Sequence, residues 1–476
     1  MGLLSAITRR KSVESLNEQL AARREFPRTL GLWQLTGIGL GSIIGVGIFV
    51  LAGQQAALNA GPAVALAFVI AGIASAAAAL CYAEFAGMIP VTGSSYTYTY
   101  AVLGELAAWL IAWNLLAEYA LIVAAVASGW SGYVHALFDA VGVSLPEWLR
   151  GAPGSGEGRV FNLVAAMVAL GVAGLLSLRT QWGVRFNTLV VAIKVVGVVL
   201  IVGVGIMYID PANWTPFIPE RSVDADGTAR YGAAGVVSAA AIVFFAVFGY
   251  DTLTTAAEES TNPQRDLPRA ILLSLGVSMA MYIAISLVLT GIAHYSTLDN
   301  DAPVANAFNA IGLRWVGVAV SITAITGIIS VVFAFMLGAA RIWFSLARDG
   351  LLPAWFAKVH PVHGTPYRPT LILGGLTAVA AGLLPIGELA MLVNIGALSA
   401  FVVICASVTI LRYRRPELDR KFRTPWMPFV PLVGIGFSAW LLVQLPEATW
   451  LRFLGWMGIG VAVYFLYGIR NSRLAQ

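Results

Sequence analysis

Gly37–Gly53 reads GIGLGSIIGVGIFVLAG. It is apolar enough to enter a bilayer, yet it carries Gly37, Gly39, Gly41, Gly45, Gly47 and Gly53. Glycine costs a water-exposed helix about 1 kcal/mol relative to alanine. In a membrane it is tolerated where backbones approach closely or where a helix opens around a ligand. Two readings follow. Gly37, Gly41 and Gly45 recur at i, i+4 and i+8, which makes one small-residue packing face. Alternatively, Gly45-Val46-Gly47 interrupts the helix and frees N–H and C=O groups for a substrate.

The rest of the chain sets the context. It is 59% hydrophobic and 11% charged over 476 residues, with a mean hydropathy of +0.81. No soluble globular domain has this composition. Runs of ~20 apolar residues recur throughout, the length one bilayer crossing needs. The ~10-residue alternating segments of a membrane β-barrel are missing. The expected class is an all-α integral membrane protein of about twelve spans. Their approximate limits are 31–58, 62–88, 104–134, 161–178, 186–208, 234–257, 270–293, 315–345, 370–385, 388–411, 428–446 and 449–469. With the first ~30 residues polar, no cleavable signal peptide is expected. Within this 1–30 tail, Val13–Phe26 could form an amphipathic surface helix.

Positive charge orients the chain. The 412–427 loop carries Arg412, Arg414, Arg415, Arg420, Lys421 and Arg423, and the N-terminal tail carries Arg9, Arg10, Lys11, Arg23, Arg24 and Arg28. The segments on the other side hold Arg150, Arg159, Arg221, Arg230, Arg314 and Arg452. Both termini, including 471–476, are therefore expected in the cytoplasm, with the protein in the cell membrane. The net charge of +5 fits this orientation rather than a nucleic-acid partner. Cys81 and Cys405 lie in apolar runs as packing residues. The four histidines are scattered and suggest no metal site, and nothing calls for a cofactor.

Two spans share an oddity. The first holds Gly45-Val46-Gly47 near its middle; the sixth holds Phe245-Ala246-Val247-Phe248-Gly249-Tyr250-Asp251. They begin two blocks of five spans, 31–209 and 234–411, followed by two further helices in 428–470. Paired interruptions in two halves point to a transporter site built from discontinuous helices.

Several segments bear a family resemblance. AIVFFAVFGYDTLTTAAEESTNPQRDLPRAI (Ala241–Ile271) resembles the sixth helix and following loop of the cationic amino acid transporter family, within the amino acid–polyamine–organocation (APC) superfamily. GSIIGVGIFVLAG (Gly41–Gly53), YAEFAGMIPVTGSSYTY (Tyr82–Tyr98), RIWFSLARDGLLP (Arg341–Pro353) and the run Arg412–Pro428 extend the match, which covers nearly all of the chain from Arg28 onward. With twelve helices the chain resembles the bacterial members. The resemblance implies a LeuT-like fold: a 5+5 inverted repeat with helices 1 and 6 discontinuous, plus two C-terminal helices. It also implies alternating access and an L-amino-acid substrate.

A zwitterion suits a broken helix, because amides at a helix N-terminus take a carboxylate and carbonyls at a C-terminus take an ammonium. Gly45, Val46 and Gly47 are the expected donors. The carbonyls of Ile43, Phe245, Ala246 and Phe248 are the expected acceptors. Met336 in the eighth span is either a core residue or a wall of the side-chain pocket. No acidic residue is evident for a lysine or arginine head group, which favours small neutral substrates such as alanine. Cationic substrates, or exchange without net proton movement, are the alternatives.

Lys194 sits mid-span in LVVAIKVVGVVLIVG. A buried intramembrane lysine is a functional hypothesis by default, with a structural salt bridge or snorkelling as the plainer readings. The resemblance implies that its ammonium replaces a sodium ion between helices 1, 5 and 8. Desolvation favours its neutral form while nearby carbonyls or a carboxylate favour the charged one, which makes proton-coupled, sodium-independent transport the expectation. Glu118, mid-span in the third helix, is its expected partner in coupling or in a structural pair, and Ser330 and Thr326 are further candidates. Glu84 and Asp251 are read either as members of intracellular gate networks with Arg265, Arg269 or Arg341, or as structural groups.

Overall fold

The computed structural model describes residues 7–14, 16, 28, 30–91, 94–178, 183–223, 229–360 and 365–473. The chain is all-α apart from a two-residue hairpin pairing Ser222–Val223 with Ala229–Arg230. The main helices are α1 (Leu32–Ile43), α2 (Val64–Met88), α3 (Ser94–Val102), α4 (Glu105–Ala140), α5 (Leu163–Leu178), α6 (Gly183–Gly205), α7 (Gly232–Val243), α8 (Pro263–Ile292), α9 (Pro303–Ala310), α10 (Arg314–Arg348), α11 (Tyr367–Leu383), α12 (Ile386–Arg414), α13 (Phe429–Val443) and α14 (Glu447–Val463). Among the described residues, eight helices are long and apolar enough to cross a membrane, and α5 and α13 are shorter apolar helices. The amphipathic segment expected over Val13–Phe26 lies largely outside the described residues.

Length and composition explain the scaffold. The 36 residues of α4 reach about 54 Å at 1.5 Å per residue, more than the ~30 Å hydrocarbon core, so its ends project. α4 packs along α10, α12 and α5, while α2 packs along α8, α7 and α13. Small side chains make this possible. Ala67, Ala71, Ala74 and Ala78 on α2 are all buried, so neighbouring backbones come close, as membrane packing requires. Between these two groups sit α1 and the start of the sixth segment. Cys81 and Cys405 are free, buried thiols.

The two ends of the chain meet on one face. Lys11 Nζ lies 2.7 Å from Asp349 Oδ2, Tyr96 OH donates to the same oxygen at 2.6 Å, and Arg473 N–H donates to Asp349 O at 3.1 Å. We call this the terminal face. On the opposite face Arg159 pairs with Asp301 at 2.8 Å and Arg150 with Asp139 at 2.5 Å.

Glu84 belongs to the terminal face, but not with the arginines expected for it. It is buried at the end of α2 and accepts from Arg412 Nε and Arg420 Nε, both at 3.1 Å, and from Thr424 N–H at 2.7 Å. The 412–427 segment folds back beneath α2 and supplies all three donors. Arg341 instead pairs with Glu259 at 3.1 Å. Both Glu84 and Arg420 are 2% exposed, and removing one partner of a buried pair costs about 3–5 kcal/mol. Arg420→Ala is therefore expected to lower the thermal unfolding midpoint of purified protein clearly, whereas Arg414→Ala, on an exposed position of α12, leaves it near wild type.

Candidate functional site

The first interruption is real. α1 ends at Ile43, Ile44 is extended (φ −74°, ψ 103°), and helical turns resume with the wide-turn segment Gly47–Leu51. The sixth segment breaks at the matching place. α7 passes into a tight turn at Phe244–Ala246, the helix opens at 247–249, and Tyr250–Glu259 continues it. Gly249 has φ +116°, and a Cβ there would stand 3.0 Å from Ser42 O. Only glycine adopts that backbone at that distance without strain. A Cβ on Gly47 would lie 2.2 Å from the Cβ of Ala246, so the two breaks press directly on each other.

Most of the carbonyls freed by the breaks are taken by the scaffold. Tyr282 OH on α8 donates to Ile43 O at 2.6 Å. Ser75 Oγ on α2 donates to Val247 O at 2.5 Å. Thr252 Oγ1 donates to Gly249 O at 2.6 Å, and Asn394 Nδ2 on α12 donates to Ala241 O at 2.7 Å and Ile242 O at 3.0 Å. The carbonyl of Ile43, expected to meet an ammonium, is thus already engaged. Among the described residues, no side chain donates to the carbonyls of Phe245, Ala246 or Phe248, and the N–H groups of Gly45, Val46 and Gly47 have no acceptor outside their own helix.

These groups surround one cavity. Ile43, Gly45, Val46, Gly47, Phe245, Ala246 and Phe248 line it, with Ser42 beside them and Ile122, Val126, Val331 and Phe335 as apolar walls. It encloses about 10 Å³, room for about one water molecule, so its walls must move apart before a larger molecule fits. Met336 is buried but does not line the cavity. On α10 it is Phe335 and Val331, four residues apart and so on one helix face, that do.

Lys194 is fully buried on α6. Its Nζ donates to Gly41 O at 3.0 Å, Ile44 O at 2.5 Å and Ser330 Oγ at 3.0 Å. The ammonium therefore caps the C-terminal carbonyls of α1, where a helix dipole favours a cation, and ties them to α10. Its stem packs on Gly327, where a Cβ would stand 2.9 Å from Lys194 Cε. Ser330 is the α10 partner; Thr326 makes no bond to it.

Glu118 is not the partner of Lys194. On α4 it faces Asn114 Nδ2 at 3.4 Å, with Asp251 as an electrostatic neighbour. Asp251 accepts a short hydrogen bond from Tyr119 OH and meets none of Arg265, Arg269 or Arg341. The reason is placement: α4 carries Glu118 toward the Tyr250–Glu259 part of the sixth segment, while Lys194 meets α1 and α10. The carbonyl caps Tyr282, Ser75 and Asn394 were missed in the sequence. Their signal was a lone polar residue inside an apolar run, too common in membrane helices to single out.

Eight helices long and apolar enough to cross a membrane, among the described residues, place the chain among all-α, multi-pass membrane proteins. The chain belongs to the amino acid permease family, whose model matches residues 30–462. It is similar to the methylthioribose transporter of Bacillus subtilis, 43% identical over 471 residues, covering 99% of this chain and 100% of that one. It is similar to the branched-chain amino acid permease BcaP of the same organism, 41% identical over 474 residues and 99% of both chains. Human cationic amino acid transporter 4 is 36% identical over 595 aligned residues, covering 100% of this chain and 92% of its own.

Replacing Lys194 by methionine keeps the bulk, leaves Ile44 O without its donor and leaves Gly41 O with only Ser330 Oγ, 3.2 Å away. Each unsatisfied buried group costs about 1–3 kcal/mol. Thermal unfolding in detergent is expected to show a large loss for Lys194→Met and a smaller one for Ser330→Ala, about 1 kcal/mol.

Proposed function

We propose that the protein is a secondary active transporter carrying a small neutral L-amino acid together with a proton by alternating access. The observation that carries this reading is the division of backbone groups at the two breaks. The scaffold occupies the carbonyls of Gly41, Ile43, Ile44, Val247 and Gly249, whereas among the described residues the amides of Gly45, Val46 and Gly47 and the carbonyls of Phe245, Ala246 and Phe248 have no such partner. In the proposal the amides take the α-carboxylate and the carbonyls take the α-ammonium, so a zwitterion is held without a buried formal charge of the protein's own.

The walls bear on the side chain. Ile122, Val126, Val331 and Phe335 are apolar, and no carboxylate lines the cavity among the described residues. A lysine or arginine head group would go uncompensated there, at a cost of several kcal/mol. The branched-chain permease among the relatives favours a second reading, in which valine, leucine or isoleucine fills the same apolar space.

Proton coupling rests on counting donors. An ammonium has three N–H groups, and Lys194 meets three oxygens; a neutral amine has two. A neutral amine keeps two N–H groups for Gly41 O and Ile44 O but offers Ser330 a lone pair, so the Ser330 hydroxyl would have to turn from Gly327 O and Gly41 O to Nζ, and the link between α1 and α10 would respond to protonation. Glu118, in the acidic neighbourhood of Asp251, is proposed as a second proton-responsive group. The proposal includes two inverted repeats, 31–209 and 234–411, related about the breaks, and a cytoplasmic location for both termini in the cell membrane.

In proteoliposomes, labelled L-alanine uptake is expected to rise with an inward proton gradient and to stay indifferent to sodium. Unlabelled glycine and serine compete, and arginine and lysine do not. Competition by arginine and lysine alone, or sodium-stimulated and pH-indifferent uptake, overturns the reading. Glu118→Gln is expected to shift the pH dependence in a folded protein. Phe335→Ala is expected to admit larger side chains in the same competition assay, while Met336→Ala leaves the competition order unchanged.

A further inference from the structure

A second, much larger cavity lies elsewhere, on the terminal face. It measures about 830 Å³, within the range of ligand pockets. Arg28, Arg265, Arg269 and Lys421 line it, and among the described residues no carboxylate does. Lys421 touches exposed Asp419 at 3.0 Å. Among the described residues Arg28, Arg265 and Arg269 have no ion-pair partner. Asp266, between the two arginines of α8, is buried and lies outside the lining.

Three separate parts of the chain bring these cations together. Arg28 precedes α1. Arg265 and Arg269 stand one turn apart at the start of α8, the positive end of that helix. Lys421 comes from the 412–427 segment, which is held in place by the Glu84 cluster through neighbouring Arg420. The floor is the bridge between α1 and the sixth segment, where Leu30 N–H donates to Glu259 O at 3.0 Å and Thr261 N–H to Leu30 O at 2.9 Å. Four converging cations in a concave site are costly to assemble unless an anion neutralises them, and the planar guanidinium groups suit phosphate oxygens.

The neighbourhood decides what carries the phosphate. Leu273 and Val277 continue the Arg269 side of α8 at i+4 and i+8, and they are 40% and 39% exposed. Trp33 on α1 is 77% exposed, the position of an aromatic residue at a membrane interface. The basic cavity therefore opens along an apolar face of the helix. Basic pockets between membrane helices take anionic lipid head groups.

We propose that this cavity binds the phosphate head group of an anionic phospholipid, with the acyl chains lying along Leu273 and Val277. The site is separate from the cavity at the helix breaks and does not depend on the transport reading. Detergent micelles expose both faces, so the assay below is also independent of membrane orientation.

The test is a titration of the purified protein in detergent with phosphatidylglycerol, phosphatidylcholine or soluble glycerol 3-phosphate, followed by native mass spectrometry. Wild type is expected to bind phosphatidylglycerol in preference to phosphatidylcholine. Each cation near an anionic lipid is worth about a fivefold change in binding. R265Q/R269Q is thus expected to bind about 25-fold more weakly, K421Q about fivefold more weakly, and R414Q, exposed on the same face but outside the cavity, like wild type. K421Q, at an exposed loop position, carries the test if the double variant does not fold. Equal affinity in the lining variants and wild type overturns the proposal. A loss in R414Q as large as in K421Q means unspecific attraction and overturns it too. Displacement of the lipid by equimolar glycerol 3-phosphate assigns the cavity to a soluble phosphate and overturns the lipid assignment.

Discussion

A single ammonium holds the centre of this protein together. Lys194 Nζ donates to Gly41 O, Ile44 O and Ser330 Oγ at a fully buried position. A helix that stops inside a membrane leaves carbonyls that would each cost several kcal/mol unpaired. Lys194 satisfies two of them with one group and fastens α1 to α6 and α10. The charge is tolerated because the end of α1 is the negative end of a helix dipole, and because Gly327 leaves room for the aliphatic stem.

The other freed carbonyls follow the same logic with neutral donors. Tyr282, Ser75, Thr252 and Asn394 reach in from α8, α2, the sixth segment itself and α12. The breaks are thereby fixed from several directions, and their remaining polar groups face one cavity. A closely packed scaffold with a few uncommitted backbone groups at its centre is what selective binding in a bilayer requires. Those groups carry partial charge without the desolvation cost of an ionised side chain.

The sequence made some of this legible and hid the rest for physical reasons. Glycine at 45, 47 and 249 is written in the chain because backbone proximity and a positive φ admit few alternatives. Lys194 was legible because an intramembrane cation is rare. Pairings across the bundle were not. Glu118 and Lys194 looked like partners because opposite charges within membrane spans usually are, but α4 and α6 present them to different neighbours. Glu84 is claimed by Arg412 and Arg420, more than three hundred residues later in the chain, and no local pattern announces such a contact. Met336 and Phe335 differ by one position, about 100° around a helix, and only the packed orientation of α10 chooses between them.

The central claim is that the uncommitted groups of the two breaks receive the amino acid. A cryo-EM structure of the protein with L-alanine bound tests it most directly. The account predicts the carboxylate within hydrogen-bonding distance of the amides of Gly45, Val46 and Gly47, the ammonium against the carbonyls of Phe245, Ala246 and Phe248, and the methyl group toward Val331 and Phe335. Alanine seated away from both breaks, or with its carboxylate on Lys194, would contradict it.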